Sequence, residues 1–327
     1  MTVTGIVRRR PRIARPRGVL GLGWACIESA VTGRLEHRRT SADYSQEVVR
    51  RTSFVAGGGL GWRISALETP RRRPARWKIV VVTGAPSWAE YWAPVMAALP
   101  EDREMLVIDR PGYGYSQPAA PVPDIEIQAR ALAPALDTAP GQGVILVGQS
   151  YGAAIAALMA AANPRQVASL VLLSSYLGES GPTARWLMDA GSRLKGVIPR
   201  DLRAAVIEVA GQPAQLPLMR QALARLRVPV HVIHGELDDF APIALAQRLA
   251  AEAPTRGPIR FEPVAGANHF LNDGPVETLI ACLDACLPGP QVTTTGQVGR
   301  WLAEAARRLP KLPRPAGPPL GGPSLAG

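Results

Sequence analysis

Ser150 is the residue of this sequence whose type and surroundings best suit a nucleophile. It lies in the segment GQSYG (148–152), directly after the apolar run VILVG and directly before the alanine-rich stretch AAIAALMAAAN. A serine on such a tight strand-to-helix turn needs small neighbours, and the start of a helix stabilises negative charge beside its hydroxyl. The pattern G-x-S-x-G alone is weak evidence, but in this context it predicts a nucleophile for acyl transfer.

A serine hydroxyl reacts at neutral pH only when a base removes its proton and an acid holds that base in the right tautomer. Both partners follow Ser150 along the chain. Asp238 comes in the loop after the apolar run VHVIH, and His269 comes after the later run IRFEPV. Asp239 is the alternative acid, because it adjoins Asp238 in the same loop.

The other three histidines are predicted to have no part in proton transfer. His231 and His234 alternate within the VHVIH run, where His234 could brace the acid loop. His37 lies among arginines near the start of the sequence, where solvation explains it adequately.

Short apolar runs separated by helical patterns must position these side chains. The runs are IVVVT (79–83), MLVID (105–109), VILVG (144–148), SLVLLS (169–174), VHVIH (230–234) and IRFEPV (259–264). Continuous Val, Ile and Leu runs indicate a mainly parallel sheet with helices on both faces. The segments TSFVA and WRISALE, with a glycine cluster between them, predict an antiparallel hairpin before this sheet. Three strand ends would then bring the serine, the acid and the histidine to one edge of the sheet.

One interval is too long for a simple crossover between strands. More than fifty residues separate SLVLLS from VHVIH, and because their periodicity is helical we expect an inserted helical cap at about 177–227. The main domain is expected to cover residues 51–288. Residues 289–327 are predicted to contain one helix, VGRWLAEAARRL, followed by a disordered tail rich in proline and glycine.

The net charge of +11 is concentrated at the beginning of the sequence. Residues 1–78 carry 17 basic and 5 acidic side chains, whereas the remainder carries 20 basic and 21 acidic ones. This distribution describes a basic arm, residues 1–50, so we do not expect nucleic acid as a partner of the main domain. Residues 19–35 have helical periodicity and could lie on an anionic membrane surface, or pack on the body or on a partner. That apolar stretch is too short to span a bilayer, and we expect a cytoplasmic protein with peripheral membrane association as an option.

Cysteine usage argues against both disulfide and metal chemistry. The three cysteines, Cys26, Cys282 and Cys286, are too few for a disulfide framework. Cys282 and Cys286 would share one face of a helix, but without histidine or further cysteine they make a poor metal site. We therefore expect buried core thiols, no metal and no cofactor.

Four motifs together resemble those of the α/β-hydrolase superfamily. They are GQSYG (148–152), GELD (235–238), NHFL (268–271) and DRPGYGYS (109–116), the last similar to a D-x-P-G-x-G-x-S loop of that superfamily. In this order and spacing they cover about residues 52–288. The resemblance implies an α/β fold with a core of eight strands and a helical cap over the active site. It also implies that Ser150 is the nucleophile, His269 the general base and then acid, and Asp238 the orienting carboxylate.

The same resemblance implies an oxyanion hole made of two backbone N–H groups. One would be that of Tyr151, which follows the nucleophile, and the other that of Ala85, because Pro86 has no N–H to give. Thr83 stands where the superfamily commonly has a histidine. Arg110 and the tyrosines of PGYGYS could line a substrate pocket, although a glycine turn explains that segment without a substrate.

The sequence therefore predicts a cofactor-independent serine hydrolase that acts on a small acyl substrate through an acyl-enzyme. The resemblance implies carboxylester hydrolysis as the preferred reaction, because most capped members of that superfamily with such a triad act on esters. The predicted cap is rich in apolar residues, which favours an apolar or amphiphilic acyl substrate. The resemblance also implies that dehalogenase and epoxide-hydrolase chemistry is disfavoured, because the members of that superfamily with those activities use aspartate where this chain has Ser150. The alternatives are a peptidase, a perhydrolase, a C–C hydrolase, or a non-catalytic membrane-docking scaffold whose working part is the arm.

Overall fold

The computed structural model describes residues 45–288. The predictions made for residues 1–44 and 289–327 lie outside the described residues. These predictions concern most of the basic arm with its helix, Cys26, His37, the carboxyl-terminal helix and the tail.

Eight strands form one sheet in the described part of the chain. They are β1 (Arg50–Val55), β2 (Arg63–Glu68), β3 (Trp77–Val82), β4 (Arg103–Ile108), β5 (Gly143–Gln149), β6 (Val167–Leu173), β7 (Val230–Gly235) and β8 (Ile259–Val264). Their order across the sheet is β1-β2-β4-β3-β5-β6-β7-β8. Strands β3 to β8 run parallel, whereas β1 and β2 form an antiparallel hairpin that pairs antiparallel with β4. The predicted mainly parallel sheet of eight strands is confirmed.

Helices connect these strands. Within residues 45–288 they are α1 (Ala93–Ala97), α2 (Ile125–Leu132), α3 (Gly152–Ala162), α4 (Pro182–Arg193), α5 (Arg200–Gly211), α6 (Leu216–Leu223), α7 (Ile243–Glu252) and α8 (Val276–Ala285). No helix in this stretch combines the length and the apolar character that crossing a bilayer requires.

The central strands are covered on both faces. In β3, Val80 and Val82 join the core formed with α2, α3 and α6, whereas Ile79 and Val81 join the core formed with α1 and α8. All four side chains are fully buried. Because both faces are buried, the strand needs no polar side, which explains the continuous apolar runs in the sequence.

The long interval between β6 and β7 contains α4, α5 and α6. The first two leave much of their surface to solvent, but α6 packs against α3, with Met219 and Leu223 inside the core beneath the sheet. The cap predicted at about 177–227 therefore includes one helix that belongs to the core layer. The reason is the apolar face of α6, which also contains Ala222 and is buried against the alanines of α3.

Candidate active site

Ser150 lies at the carboxyl end of β5 on a turn with left-handed backbone. Its φ of 51° is a conformation that residues with a side chain seldom adopt. Backbone hydrogen bonds hold this turn: the Ser150 N–H donates to Leu173 O at 2.9 Å, and the Ser150 carbonyl accepts from the Tyr176 N–H at 3.2 Å. The turn therefore fixes the serine between β5 and the first residue of α3.

The glycines on either side of Ser150 are required by space. A Cβ added at Gly152 would lie 2.3 Å from the Val82 carbonyl oxygen, and one added at Gly148 would lie 2.7 Å from Ala153 Cα. Both distances are far below van der Waals contact, so α3 can approach the sheet this closely only without those side chains. The predicted need for small neighbours has this geometric cause.

The structure brings Ser150, His269 and Asp238 together at the carboxyl edge of the sheet. Ser150 Oγ lies 3.0 Å from His269 Nε2, and His269 Nδ1 lies 2.8 Å from Asp238 Oδ2. Because a carboxylate can only accept, Nδ1 carries a proton and donates it to Asp238. Nε2 is then the acceptor for the serine hydroxyl, which is the arrangement that general-base activation requires.

Two aromatic rings hold the imidazole of His269. Phe240 stacks on it with ring centroids 5.2 Å apart, and Phe270 meets it edge-on at the same separation. The residue is only 6% exposed. Since packing restrains the ring on its face and its edge, rotation that would break either hydrogen bond is restricted.

Asp238 is held as a carboxylate by a dense set of donors. Burial alone would raise its pKa, but His269, hydrogen bonds from His234 and His269, and the Ala241 N–H lower the pKa below its usual value. Oδ1 accepts from the N–H groups of Phe240 and Ala241 at 2.9 and 2.8 Å. These contacts keep the acid ionised at the pH at which His269 works.

His234 braces this loop, as its position in the sequence indicated. Its Nε2 lies 2.9 Å from Ala241 O and 3.1 Å from Asp238 Oδ2, so Nε2 faces two acceptors and carries the proton. The side chain is fully buried in β7. It therefore contacts the same carboxylate oxygen, Oδ2, that accepts from His269.

The alternative candidates do not join the site. Asp239 Oδ2 accepts a hydrogen bond from Thr183 Oγ1 at 2.6 Å and so ties its loop to α4. His231 is half-buried in β7, where burial and then Arg260 lower its pKa to about 4. Neither residue contacts Ser150 or His269 in the described chain.

The loop after β3 passes directly beside the serine. A Cβ added at Gly84 would lie 3.1 Å from Ser150 Cβ and 3.6 Å from its Oγ. Neither the Ala85 N–H nor the Tyr151 N–H has a hydrogen-bond acceptor among residues 45–288. Both groups are therefore available to a developing oxyanion.

Thr83, which stands where the resemblance implies a histidine, holds the loop after β3 by two hydrogen bonds. Its hydroxyl donates to Ile108 O at 2.9 Å and makes a short hydrogen bond with Ser87 Oγ. Ser87 Oγ in turn accepts from the Arg110 N–H at 3.0 Å. The two hydroxyl groups thus fasten the loop after β3 to the end of β4.

The expectation that Arg110 lines a pocket is wrong. Arg110 and Tyr113 are fully buried, and Arg110 forms an ion pair with Glu208 of α5 at 2.8 Å. Burial would lower the pKa of Arg110, but Glu208 raises it above its usual value.

Glu208 was not identified from the sequence. A single acid within the apolar stretch AAVIEVA is nevertheless a signal, because a buried charge needs a partner. Tyr115, by contrast, is 45% exposed.

A chain of buried amides, also missed from the sequence, connects the nucleophile turn to the histidine loop. Gln149 accepts from Trp92 Nε1 at 3.1 Å and donates through Nε2 to Asn272 Oδ1 at 2.9 Å. Asn272 lies three residues after His269. These bonds fix the separation of the two loops that carry the serine and the histidine.

Metal-binding clusters are absent from the described residues. Within 45–288, no group of three or more His, Cys, Asp or Glu side chains is placed to hold an ion. Cys282 and Cys286 are buried free thiols, and Cys286 Sγ donates to the Cys282 carbonyl.

Residues 79–219 match the model of a protein family described as having the alpha/beta hydrolase fold. The chain is 30% identical over 251 residues to the polyketide synthase ThaQ of Burkholderia thailandensis, and 37% identical over 117 residues to the lipase LipV of Mycobacterium tuberculosis. These matches cover 64% and 36% of this chain but span only 12% of ThaQ and 43% of LipV. A 2-hydroxy-6-oxononadienedioate/2-hydroxy-6-oxononatrienedioate hydrolase of Pseudomonas putida is 26% identical over 52% of this chain and 73% of its own.

Solved structures with the same fold include two esterases. The carboxylesterase CesB of Bacillus subtilis superposes with a TM-score of 0.58 at 17% identity, over 81% of this chain and all of that one. A thermophilic esterase of Thermogutta terrifontis gives 0.56 at 18% identity, over 72% of this chain and 97% of that one. At this identity the likeness establishes the fold alone.

Proposed function

The chain belongs to the α/β-hydrolase superfamily, and we propose that it is a serine hydrolase that cleaves carboxylic esters through an acyl-enzyme. One observation carries the proposal: hydrogen bonds join Ser150 Oγ to His269 Nε2 at 3.0 Å and His269 Nδ1 to Asp238 Oδ2 at 2.8 Å. The reaction needs no cofactor.

The mechanism follows from these contacts. Ser150 Oγ attacks the acyl carbonyl carbon while His269 Nε2 takes the hydroxyl proton, and ionised Asp238 stabilises the imidazolium. The imidazolium protonates the leaving alcohol as the C–O bond breaks, which leaves the acyl group on Ser150. A water molecule then attacks the acyl carbon, and His269 acts as base and acid in the same way to release the carboxylic acid.

Negative charge on the carbonyl oxygen would be stabilised by the N–H groups of Tyr151 and Ala85. Both groups lack a protein acceptor within the described chain, and Gly84 lies against the serine. A well-placed donor of this kind contributes about 3 kcal/mol to the transition state. Tyr151 also precedes the first residue of α3, so the helix N-terminus adds to the positive potential at this position.

An apolar or amphiphilic acyl group is the substrate class that we prefer, because helix α4, which Thr183 ties to the acid loop, carries apolar side chains that are not fully buried. Helix α4 contributes exposed Trp186 and half-buried Leu187 and Met188 to the interval that follows β6. A protein named as a lipase is among those similar in sequence to this chain, which supports an ester as the scissile group.

A C–C hydrolase acting on an acidic substrate is the second candidate. Five matched proteins are named as hydrolases of 2-hydroxy-6-oxononadienedioate or 2-hydroxymuconate semialdehyde. A substrate carboxylate that is buried in a site needs a cation or several hydrogen-bond donors with free capacity. Arg110 is bonded to the loop after β3, residues 83–87, which we call the oxyanion loop. Its donors are already occupied by Glu208, Gln128 and two carbonyls. This occupancy favours the ester.

Labelling and turnover together test the proposal. We expect a fluorophosphonate probe to label the protein, and p-nitrophenyl esters of graded chain length to be hydrolysed, with both signals lost in Ser150→Ala. Ser174→Ala is the matched control, because Ser174 is also buried and left-handed, with φ 45° after β6, but is not bonded to an imidazole. We expect that control to retain both signals.

The other outcomes distinguish the alternatives. Absence of labelling in folded protein contradicts the hydrolase and supports a non-catalytic scaffold. Turnover of 2-hydroxymuconate semialdehyde at a higher kcat/KM than any ester in the series supports the C–C hydrolase instead.

A further inference from the structure

Arg110 holds the backbone of the oxyanion loop by its carbonyl groups. Nε donates to Thr83 O at 2.8 Å, and Nη2 donates to Gly84 O at 2.7 Å. The side chain is fully buried at the end of β4, with its guanidinium over the rings of Tyr113 and Tyr151 at 4.9 and 4.7 Å. A guanidinium that contacts two aromatic rings and is hydrogen-bonded through Nε, Nη1 and Nη2 has a fixed plane, so the carbonyls it binds have a fixed direction.

The direction of those carbonyls determines the direction of the N–H groups that follow. In a trans peptide group the C=O and the N–H point to opposite sides. The Gly84–Ala85 peptide group is trans, and its carbonyl points to Arg110, so the Ala85 N–H points away from the guanidinium. Gly84 lies against Ser150 Cβ, which places this peptide group beside the nucleophile.

A carboxylate from the helical interval anchors the guanidinium. Glu208 of α5 binds Arg110 at both oxygens, with 3.0 Å from Nη1 to Oε1 and 2.8 Å from Nη2 to Oε2. Tyr113 OH and Gln128 Nε2 donate to the same carboxylate at 2.6 and 2.9 Å. Glu208 is fully buried, so its charge is compensated only while α5 stays seated on the loops after β3 and β4.

The geometry points to Arg110 as a positioning residue that, anchored by Glu208, sets the direction of the Ala85 N–H and so couples the seating of α5 to the oxyanion hole. This inference rests on the proposed function for its kinetic effect, whereas the bracing of the peptide group does not depend on any activity. Lysine at position 110 keeps the charge opposite Glu208 but cannot bind two carbonyls and two carboxylate oxygens with a planar fork. Arg110→Lys is therefore the informative variant.

Arg71 provides the matched control. Its Nε donates to Arg103 O at 2.8 Å and its Nη2 to Pro100 O at 3.1 Å, so it also braces backbone carbonyls. Arg103 is the first residue of β4, which puts these bonds at the amino edge of the parallel strands, opposite the site. Arg71→Lys makes the same chemical change without touching the oxyanion loop.

The bracing is tested by NMR on the full chain, without substrate. Protein labelled with ¹³C-carbonyl glycine and ¹⁵N-alanine shows correlations only from Gly-Ala peptide groups, of which the sequence has three, at 84–85, 152–153 and 266–267. Loss of one peak in Ala85→Ser assigns the 84–85 group. We expect Arg110→Lys to shift that peak and Arg71→Lys to leave it in place, with the 266–267 peak as internal reference.

Kinetics on the same proteins test the consequence for catalysis. With p-nitrophenyl butyrate, and with active sites counted by fluorophosphonate titration, we expect Arg110→Lys to lower kcat per titrated site about 10- to 100-fold. KM should stay within about threefold, since the lost interaction forms mainly in the transition state. Glu208→Gln should lower kcat in the same direction, and Arg71→Lys should match the wild type.

The outcomes separate this inference from the proposed function. If the 84–85 peak is unchanged in Arg110→Lys, or if that variant loses titratable sites but keeps its kcat per site, the inference is overturned. If the peak shifts but the wild type hydrolyses no ester, the bracing stands and the proposed function fails.

Discussion

At the scale of single residues, the neighbouring acids Asp238 and Asp239 provide a sharp test of the site. Asp238 accepts from His269, whereas Asp239 accepts from Thr183 of α4. We expect Asp238→Asn to lower kcat by about 10⁴-fold, because an amide can stabilise the wrong histidine tautomer and carries no charge for the imidazolium. Steady-state rates with one p-nitrophenyl ester measure the effect.

Asp239→Asn is the matched control for that substitution. It replaces the charged acceptor of the Thr183 hydrogen bond with a neutral amide oxygen, for which we expect a loss of at most about 1 kcal/mol in the free energy of unfolding and kcat within about threefold of wild type. If Asp239→Asn lowers kcat more than Asp238→Asn does, the assignment of Asp238 as the acid is wrong.

The three residues of the candidate triad could be named from the sequence, whereas of their supports only His234 could. Ser150, Asp238 and His269 each follow an apolar run, and parallel strands bring such ends to one edge. Glu208 meets Arg110 from 98 positions away, and no periodicity in the sequence specifies that pairing. The hydrogen bond between Gln149 and Asn272, which lie 123 positions apart, could not be predicted for the same reason.

At the scale of elements, the hairpin joins the parallel sheet through a buried cluster of charges. Arg51 of β1 donates to Asp109 after β4 at 2.6 Å and forms a short ion pair with Glu90. Burial and then Glu90 raise the pKa of Asp109 to about 7, although Arg51 opposes the shift. Two carboxylates thus compete for one guanidinium at this junction.

This raised pKa predicts how stability depends on pH. In the unfolded chain an aspartate loses its proton near pH 4, so between about pH 4 and 7 the folded state binds more protons than the unfolded one. The free energy of unfolding should therefore fall as pH rises through that window, by at least about 1 kcal/mol from this group. Denaturant titrations at pH 5 and pH 8 measure the fall.

Asp109→Asn should remove that fall, because an amide has no proton to lose. The exposed Asp102, replaced by Asn in the same way, is the control and should leave the pH dependence as in the wild type. If the free energy of unfolding changes equally with pH in the wild type and in Asp109→Asn, this carboxyl group is ionised in the folded protein throughout the range.

Elements were easier to predict from the sequence than their assignment to layers. Each apolar run became a strand, and the continuous Val, Ile and Leu runs suit strands that are buried on both faces. The sequence did not distinguish α6 from the other helices of the predicted cap, because α5 and α6 have similar helical patterns. Which of the two helices belongs to the core layer depends on which apolar face packs against α3, and only the folded structure shows this.

At the scale of the whole molecule, positive charge is concentrated at the beginning of the sequence, and the basic arm, residues 1–50, carries 10 basic and 4 acidic side chains. This excess predicts adhesion to anionic lipid, with about 1 kcal/mol for each cation close to the surface. We expect the full chain to sediment with phosphatidylserine vesicles at low salt and to be released at high salt. Deletion of residues 1–40 should abolish sedimentation.

Deletion of residues 289–327 is a control of similar length and should leave sedimentation unchanged. Phosphatidylcholine vesicles control for contacts that do not depend on charge. Sedimentation that persists without residues 1–40 contradicts a role for the arm, and retention of duplex DNA in place of vesicles would assign the arm to nucleic acid.

The left-handed backbone at Ser150 also limits which nucleophiles this turn can carry. Threonine has the same hydroxyl, but its branched β-carbon is poorly tolerated at φ 51°. Serine, cysteine and aspartate are unbranched at that carbon and can all be accommodated. The backbone at position 150 therefore limits which nucleophile, and so which reaction, a variant of this protein can use, whatever residues line its pocket.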